Sequence, residues 1–318
     1  GGNNWSQVSP NVTGYTVPYQ PSDIEIDASN NIWIGTRKNS YGLGAGTILK
    51  STSGNMGSWS STSFTGYNAN RIELACAPSN ASVVYVVGAG GSGDNDVEFM
   101  VKTANGGINW PTITIPISLI DGNHFTRGQA WYDLILAVDP TNENTLYAGG
   151  IDLYKSTNGG SNWTMISVWH DYYSSLYSKP YVHADQHAIA FMPGFSNSNT
   201  FIVGNDGGVH MTTNGGTDFT AKNSGYNVTQ FYSAALHPTA GTNFFLAGSQ
   251  DNGTQKFENA TGVVNTIEVT GGDGAFSFID QDNATLSITS YIYNNFFLNT
   301  DGWTNTITFP PYNSNYYE

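Results

Sequence analysis

The densest run of chemically able side chains is His183-Ala-Asp185-Gln-His187. In an extended strand, residues two apart share a face. His183, Asp185 and His187 are therefore expected to project together. Two imidazoles and a carboxylate form a ligand set for a divalent cation. The same trio also suits proton transfer, or hydrogen bonds that pin one segment to its neighbour. Three Gly-rich segments carry further carboxylates: Gly204-Asn-Asp206-Gly-Gly208, Ser249-Gln-Asp251-Asn-Gly253 and Gly271-Gly-Asp273-Gly274. Two of these carboxylates facing each other could act as general acid and general base on a glycosidic bond. One of the pair would need a pKa raised by burial beside like charge. Asp-Gly pairs are also ordinary turn formers that bond their own backbone.

Cations and aromatics complete the candidate set. The chain has three arginines, Arg37, Arg71 and Arg127, and Arg127 is followed closely by Trp131 and Tyr132. A second aromatic group, Trp169-His-Asp-Tyr172-Tyr173 with Tyr177 and Tyr181, precedes the histidine motif in a segment expected to be a long loop. Exposed Trp and Tyr rings stack on sugars or protein surfaces, and buried ones fill space between sheets. The candidates are Asp206, Asp251 and Asp273 for catalysis. For ligand binding they are His183, Asp185, His187, Arg127, Trp131, Tyr172 and Tyr173, and for a divalent cation His183, Asp185 and His187.

Composition limits what these residues can serve. Of 318 residues, 10 are Lys or Arg and 24 are Asp or Glu, a net charge of −14. Charged residues make up 11% of the chain, against about a quarter in an ordinary soluble domain. The acidic balance argues against nucleic acid, whose phosphates require clustered Lys and Arg. Aromatic residues at 14% argue against disorder. Apolar runs such as 134–138 fall far short of the roughly 20 residues of a membrane helix. The single cysteine, Cys76, excludes a disulfide framework. It stands on an apolar strand, as a small buried residue would. Few lysines among many Asn, Thr and Tyr residues suggest a secreted or cell-surface bacterial protein. The opening Gly1-Gly2-Asn3-Asn4-Trp5 reads as a mature or excised fragment of a larger polypeptide.

The elements that must position the candidates come from an internal repeat. Its clearest copy runs Leu134-Ile-Leu-Ala-Val-Asp139-Pro140, then Thr145-Leu-Tyr-Ala-Gly149-Gly150. It continues Leu153-Tyr-Lys-Ser-Thr-Asn158-Gly159-Gly160-Ser-Asn-Trp163. Second-strand glycines align at Gly35, Gly88, Gly149, Gly204 and Gly248, and the closing turns end at Trp59, Trp110, Trp163 and Phe219. Units of four short strands spaced about 40–60 residues apart are the blades of an all-β propeller. Period-2 runs recur, whereas long period-3.6 patterns do not. Six inner strands are placed, starting near Ile24, Leu74, Leu134, Ala188, Ser233 and Phe276. Residues 5–8 read as the outermost strand of a seventh, incomplete blade, and the tyrosine-rich tail 312–317 as loop or edge.

The Asn158-Gly159-Gly160-Ser-Asn-Trp163 turn resembles the Asp-box of sialidases, sortilin-like receptors and xyloglucan-cleaving glycosidases, with Asn where that motif has Asp. The segments 183–191, 203–208, 247–253 and 271–274, about a third of the chain, are similar to large exported Asp-box proteins of surface-gliding, polymer-degrading bacteria. The resemblance implies a propeller and leaves activity open. Asn205-Asp206-Gly207-Gly208 is loosely similar to the Gly-rich loop that bears a catalytic Asp in the xyloglucan-cleaving family, with spacing different by one residue. A sialidase would clamp a carboxylate with three arginines. Arg71-Ile72-Glu73 departs from that family's Arg-Ile-Pro signature, and no Tyr–Glu pair is identifiable.

Antiparallel topology sorts the loops. Connections between second and third strands, and those from blade to blade, share one face. Asp206, Asp251, Asp273, Arg127, Trp131, Tyr132 and the 183–187 motif all fall there, and loops on a rigid scaffold carry function. The expected function is a recognition scaffold for a polysaccharide or a surface protein. A glycoside hydrolase or a purely structural module of a larger surface protein are the alternatives.

Overall fold

The computed structural model describes residues 4–67, 69–90, 96–193, 199–226, 228–259, 265–292 and 295–309. Asp94, which the repeat puts in the connection between the second and third strands of blade two, and the tail 312–317 lie outside them. Six antiparallel sheets follow one another along the chain, five with four strands and one with three. Blade one holds β1 (Gln20–Ile26), β2 (Ile32–Arg37), β3 (Thr47–Ser51) and β4 (Trp59–Ser63). Blade two holds β5 (Arg71–Cys76), β6 (Val84–Ala89) and β7 (Val97–Thr103). Blade three holds β8 (Ile135–Val138), β9 (Leu146–Gly149), β10 (Leu153–Ser156) and β11 (Thr164–Met165). A short helix, α1 (Asp171–Tyr177), precedes blade four: β12 (Gln186–Phe191), β13 (Phe201–Asn205), β14 (Gly208–Thr212) and β15 (Thr220–Ala221). Blade five holds β16 (Ser233–Leu236), β17 (Phe244–Gly248), β18 (Thr254–Glu258) and β19 (Ile267–Thr270). Blade six holds β20 (Ser277–Ile279), β21 (Ser287–Ser290), β22 (Phe296–Asn299) and β23 (Ile307–Phe309).

The fold is a β-propeller of antiparallel blades, as the repeat predicted. The chain divides into two compact units, Gly1–Asn223 with blades one to four and Ser224–Glu318 with blades five and six. Blade two has three strands because Pro111 interrupts its fourth. Proline has no N–H to donate to a ladder, and one bridge, Val101 to Thr112, remains of the pairing. Residues 5–8 carry no strand, and Trp5 is exposed.

The turns closing blades two, three and four share one hydrogen-bond pattern. Thr103 Oγ1 accepts from Gly107 N at 2.9 Å, and Asn105 Oδ1 accepts from Asn109 N at 3.0 Å. Ser156 with Asn158, and Thr212 with Asn214, repeat both bonds at 2.9–3.0 Å. Gly106 and Gly107, at φ 70° and 97°, take the left-handed conformation that such a turn requires. The terminal aromatics then pack between blades. Trp110 lies edge-on to Trp33 of blade one at 6.1 Å, and Trp163 donates from Nε1 to Thr114 O at 2.7 Å.

The cores lie between blades. Trp33 and Ile48 of blade one pack with Ile72, Leu74, Val84 and Val86 of blade two. Tyr85 and Met100 of blade two pack with Leu134, Leu136, Leu146 and Tyr154 of blade three. Tyr147 and Leu153 of blade three pack with Phe201 and Val203 of blade four. Each fully buried side chain of this size contributes about 1.5–3 kcal/mol.

A lysine repeats the same contact across each of these interfaces, a feature the sequence reading did not single out. Lys50 Nζ lies 4.6 Å over the Trp33 ring and donates to Gly106 O of the next blade at 2.9 Å. Lys155 lies 5.3 Å over Tyr147 and donates to Gly215 O of blade four at 3.0 Å. Lys102 lies 5.1 Å over Tyr85 and reaches Asn144 Oδ1 of blade three at 3.0 Å. Lys256 of blade five reaches Gly302 O of blade six at 3.5 Å.

The aligned glycines mark close approaches. A Cβ on Gly35 would stand 2.6 Å from Ile72 O, whereas one on Gly204 would meet only the Ala188 methyl at 4.0 Å. Gly35→Ala is expected to cost about 1–3 kcal/mol, because a backbone carbonyl must move. Gly204→Ala is expected to be neutral or slightly stabilising. Urea unfolding of the two variants measures the difference, and equal effects would refute the close-approach account.

Candidate functional site

The site in the first unit begins at the tight turn between β13 and β14. Asn205 Oδ1 accepts from Gly207 N at 3.1 Å, which closes the turn and directs Asp206 outward. Gly207 is required here, since a Cβ would lie 2.3 Å from the His183 ring. His187 Nε2 pairs with Asp206 Oδ1 at 2.6 Å. Tyr132 OH donates to Asp206 Oδ1 and Oδ2, both at 3.0 Å. The Tyr132 ring sits edge-on to His187 at 4.8 Å, and Trp131 follows at 5.5 Å from Tyr132. Trp131 is 62% exposed and Tyr132 40%. An aromatic pair thus stands beside an oriented carboxylate, built from blade four and from the segment entering blade three.

Two arginines hold that segment. Arg71, on β5, donates from Nη1 to Ala130 O and Trp131 O at 3.3 and 3.2 Å, and from Nη2 to Leu134 O at 3.3 Å. Arg127 is largely buried, with Nε 3.0 Å from Asp121 Oδ2 and Nη2 3.3 Å from buried Asp152 Oδ2. Burial nevertheless pushes the Asp152 carboxyl up to about 7. Arg37 lies exposed at the end of β2. The arginines therefore form no anion clamp, because Arg71 and Arg127 are committed to loop backbone and internal carboxylates.

Behind the aromatic pair lies Asp133, which sequence reasoning missed. It is fully buried, and desolvation, reinforced by Asp185, pushes its carboxyl up to about 9. Asp185 is raised too, first by burial and then by the charge on Asp206. Neither Asp133 carboxyl oxygen has a hydrogen-bond partner among the described residues, and a desolvated, unpartnered carboxyl beside a second acid keeps its proton. Gln129 Nε2 reaches Asp185 Oδ1 at 3.5 Å. The Tyr-Asp dipeptide at 132–133, placing a carboxylate just before an apolar inner strand, was the available signal.

The shared face expected of His183, Asp185 and His187 does not form. Asp185 has φ 63°, which breaks the strand alternation before β12 begins at Gln186. The register of β12 is irregular again between Gln186 and Ala188. His183 turns under Gly207, with Nδ1 3.2 Å from Ala184 O, while His187 faces Asp206. Among the described residues, no group of three or more His, Cys, Asp or Glu is arranged to hold a metal ion. The expected cation set is corrected accordingly.

The remaining candidates separate. Tyr172 and Tyr173 lie on α1, where a loop was expected, because His170 caps the helix by accepting from Tyr172 N at 3.1 Å. Tyr172 is exposed, and Tyr173 packs against Trp169 and the core. In the second unit, Asp273 Oδ1 accepts from Asp251 N at 3.0 Å, and Asp251 has φ 59°. There a carboxylate of one loop caps a backbone amide of the neighbouring loop, which ties the two loops together. A further acidic group lines the inner strands of blades one and two. Burial and the neighbouring Asp23 push Glu25 to about 7 and Glu73 to about 8, the latter although Arg71 Nη2 is 2.9 Å away.

No family model matches the chain, and no curated protein matches it. Among solved structures it is similar to the GH74 xyloglucanase from Xanthomonas campestris, at 14% identity over 91% of this chain and 45% of that one, with a TM-score of 0.46. The GH74 enzyme of Niastella koreensis shows 19% identity over the same shares, with a TM-score of 0.44. YCF48 from Cyanidioschyzon merolae shows 14% identity over 96% of this chain and 88% of that one, at 0.44. The chain spans less than half the length of either GH74 protein.

The raised carboxyls fix the sign of the pH response. The folded state keeps protons on Asp133, Glu73, Glu25 and Asp152 that the unfolded chain loses near pH 4, so stability falls as pH rises from about 4 to about 9. Asp133→Asn is expected to flatten this decline and to melt above the parent at pH 9. Melting temperatures from pH 5 to 9 measure it, and parallel profiles would contradict a proton-holding Asp133.

Proposed function

We propose that this chain is a secreted or cell-surface recognition module that binds a neutral polysaccharide through the Trp131–Tyr132 pair and Asp206. The observation that carries the reading is the solvent-exposed aromatic pair beside a carboxylate whose orientation is fixed by His187 and Tyr132. Indole and phenol rings stack on the apolar faces of pyranose rings. Asp206, only partly occupied by its two partners, accepts from sugar hydroxyls. The net charge of −14 disfavours anionic polymers at the same surface. Low lysine content and a single cysteine support placement outside the cytoplasm. A protein surface rich in neutral hydroxyl or amide groups is the other class of target that this chemistry tolerates.

The hydrolase alternative places weight on the carboxyls around Asp206. Asp133 is fully buried, so it cannot reach a glycosidic oxygen. Asp206 is held by an imidazole and a phenol, as an orienting ligand contact would be. Binding without turnover is therefore the reading adopted.

A glycan array probed with the purified chain, alongside a reducing-sugar assay on the same polysaccharides, tests it. Retention of a neutral polysaccharide without release of reducing ends is expected. Trp131→Ala should weaken that binding at least about tenfold, about 1.4 kcal/mol, without lowering the melting temperature. Turnover abolished by Asp206→Asn would move the assignment to hydrolase. Binding unaffected by Trp131→Ala would remove the site.

A further inference from the structure

Beneath the turn between β13 and β14 lies a buried chain of polar side chains whose hydrogen-bond directions are fixed from one end. Gln186 is fully buried, and His210 is 4% exposed. Gln186 Nε2 donates to Ile151 O at 3.2 Å and to His183 O at 2.5 Å. Backbone carbonyls only accept, so both N–H groups of this amide are spent on them. Gln186 Oε1 is therefore the atom that meets Asn205, and it accepts from Asn205 Nδ2 at 3.4 Å. The Asn205 amide is set from its other side too, because its Oδ1 accepts from Gly207 N at 3.1 Å. The second Asn205 N–H then points to His210 Nδ1, 3.2 Å away. That ring nitrogen must accept, which puts the single proton of a neutral imidazole on Nε2.

The turn above is bracketed by Asn223. Its Nδ2 donates to Gly207 O and its Oδ1 accepts from Val209 N, both at 2.8 Å. Asp206 N donates to Asp185 O at 3.3 Å. The Asn205 amide ties this bracketed turn to the buried chain beneath. A proton on His210 Nδ1 would set an N–H against the Asn205 NH2 group. Asn205 relieves that only by rotating its amide, which loses the bonds to Gly207 N and Gln186 Oε1 and leaves both facing like groups. The closure that orients Asp206 is then gone.

The surroundings favour the neutral ring. Burial, with a smaller push from His183, holds the His210 pKa below the usual histidine range. Among the described residues, the ionisable groups that face His210 are His183 and the Tyr181 ring, edge-on at 6.1 Å. Asp171 acts on Tyr181, and His187 pairs with Asp206 itself.

We propose that His210 is a positioning residue for Asp206: its unprotonated Nδ1 fixes Asn205, Asn205 fixes the turn, and proton uptake in mild acid releases the carboxylate from its ligand-binding orientation. Its consequence for binding rests on the polysaccharide reading above, whereas the hydrogen-bond relay does not.

Nuclear magnetic resonance of the chain labelled with nitrogen-15 histidine and glycine tests the relay without a ligand. At about pH 7.5, above the ordinary histidine pKa, His210 is expected to show a bare Nδ1 and a protonated Nε2. On acidification the Gly207 amide should shift with the same midpoint as the His210 ring. His210→Gln supplies an accepting amide oxygen that does not titrate, and should abolish that shift. A protonated Nδ1 at neutral pH would overturn the proposal in the parent chain alone, whether or not the variant folds. A Gly207 shift that persists in His210→Gln would also overturn it, assigning the response to His183 or His187. Affinity for hydroxyethyl cellulose, a neutral glucan, reads the consequence. From about pH 7.5 to about pH 5.5 it should fall at least about fivefold in the parent and less than about twofold in His210→Gln. Equal declines in the two chains would overturn the positioning role. Absence of binding at either pH would count against the polysaccharide reading, while the nitrogen shifts still decide the relay.

Discussion

A blade of this protein is a thin sheet with two apolar faces, and neither can be buried without a neighbour. A sheet that is wet on one side hides its apolar residues on the other. Here Trp33, Tyr85 and Tyr147 point one way from their sheets, while Ile34, Val86 and Leu146 point the other, and all are buried. Stability therefore resides in the interfaces between blades. The lysines reflect the same constraint. Lys102 and Lys155 are partly desolvated, which holds their ammonium pKa below the usual lysine range. Each offsets that cost with an aromatic face and a hydrogen-bond acceptor of the next blade.

The candidate site follows from this arrangement. Asp206 belongs to blade four and Tyr132 to the segment entering blade three, so their hydrogen bond forms only because the two blades are packed. Arg71 extends the dependence to blade two by gripping the backbone at 130, 131 and 134. The aromatic pair is therefore presented by elements from three blades, which explains its fixed orientation despite its exposure. Asp133, buried and protonated beneath the pair, is the cost of bringing an acidic loop against an apolar inner strand.

The propeller was legible because each repeat states its strands twice, once as period-2 apolar runs and again through the glycine and turn signatures between them. The turns were legible because Ser/Thr and Asn at fixed spacing have one efficient way to bond the backbone. The grouping of Asp206 with Tyr132 was legible in part, since antiparallel topology puts both loops on one face. The trio at 183, 185 and 187 was misread because alternation was extended one residue too far. The left-handed backbone at Asp185 has no local marker such as glycine. The α1 helix was hidden by its tyrosines, which favour strands, and was stabilised by a His170 cap that sequence spacing alone does not announce. Asp133 was overlooked because burial of a carboxyl is a tertiary outcome, decided by the segments that close over it.

The central claim is that recognition is localised on the 131–132 pair and its carboxylate. Hydrogen–deuterium exchange of the chain with and without a saturating neutral polysaccharide tests it most directly. The account predicts protection confined to the backbone around 127–133, 185–187 and 206–208. Protection concentrated around 251–253 and 271–274, or on α1, with none at those three segments, would contradict it.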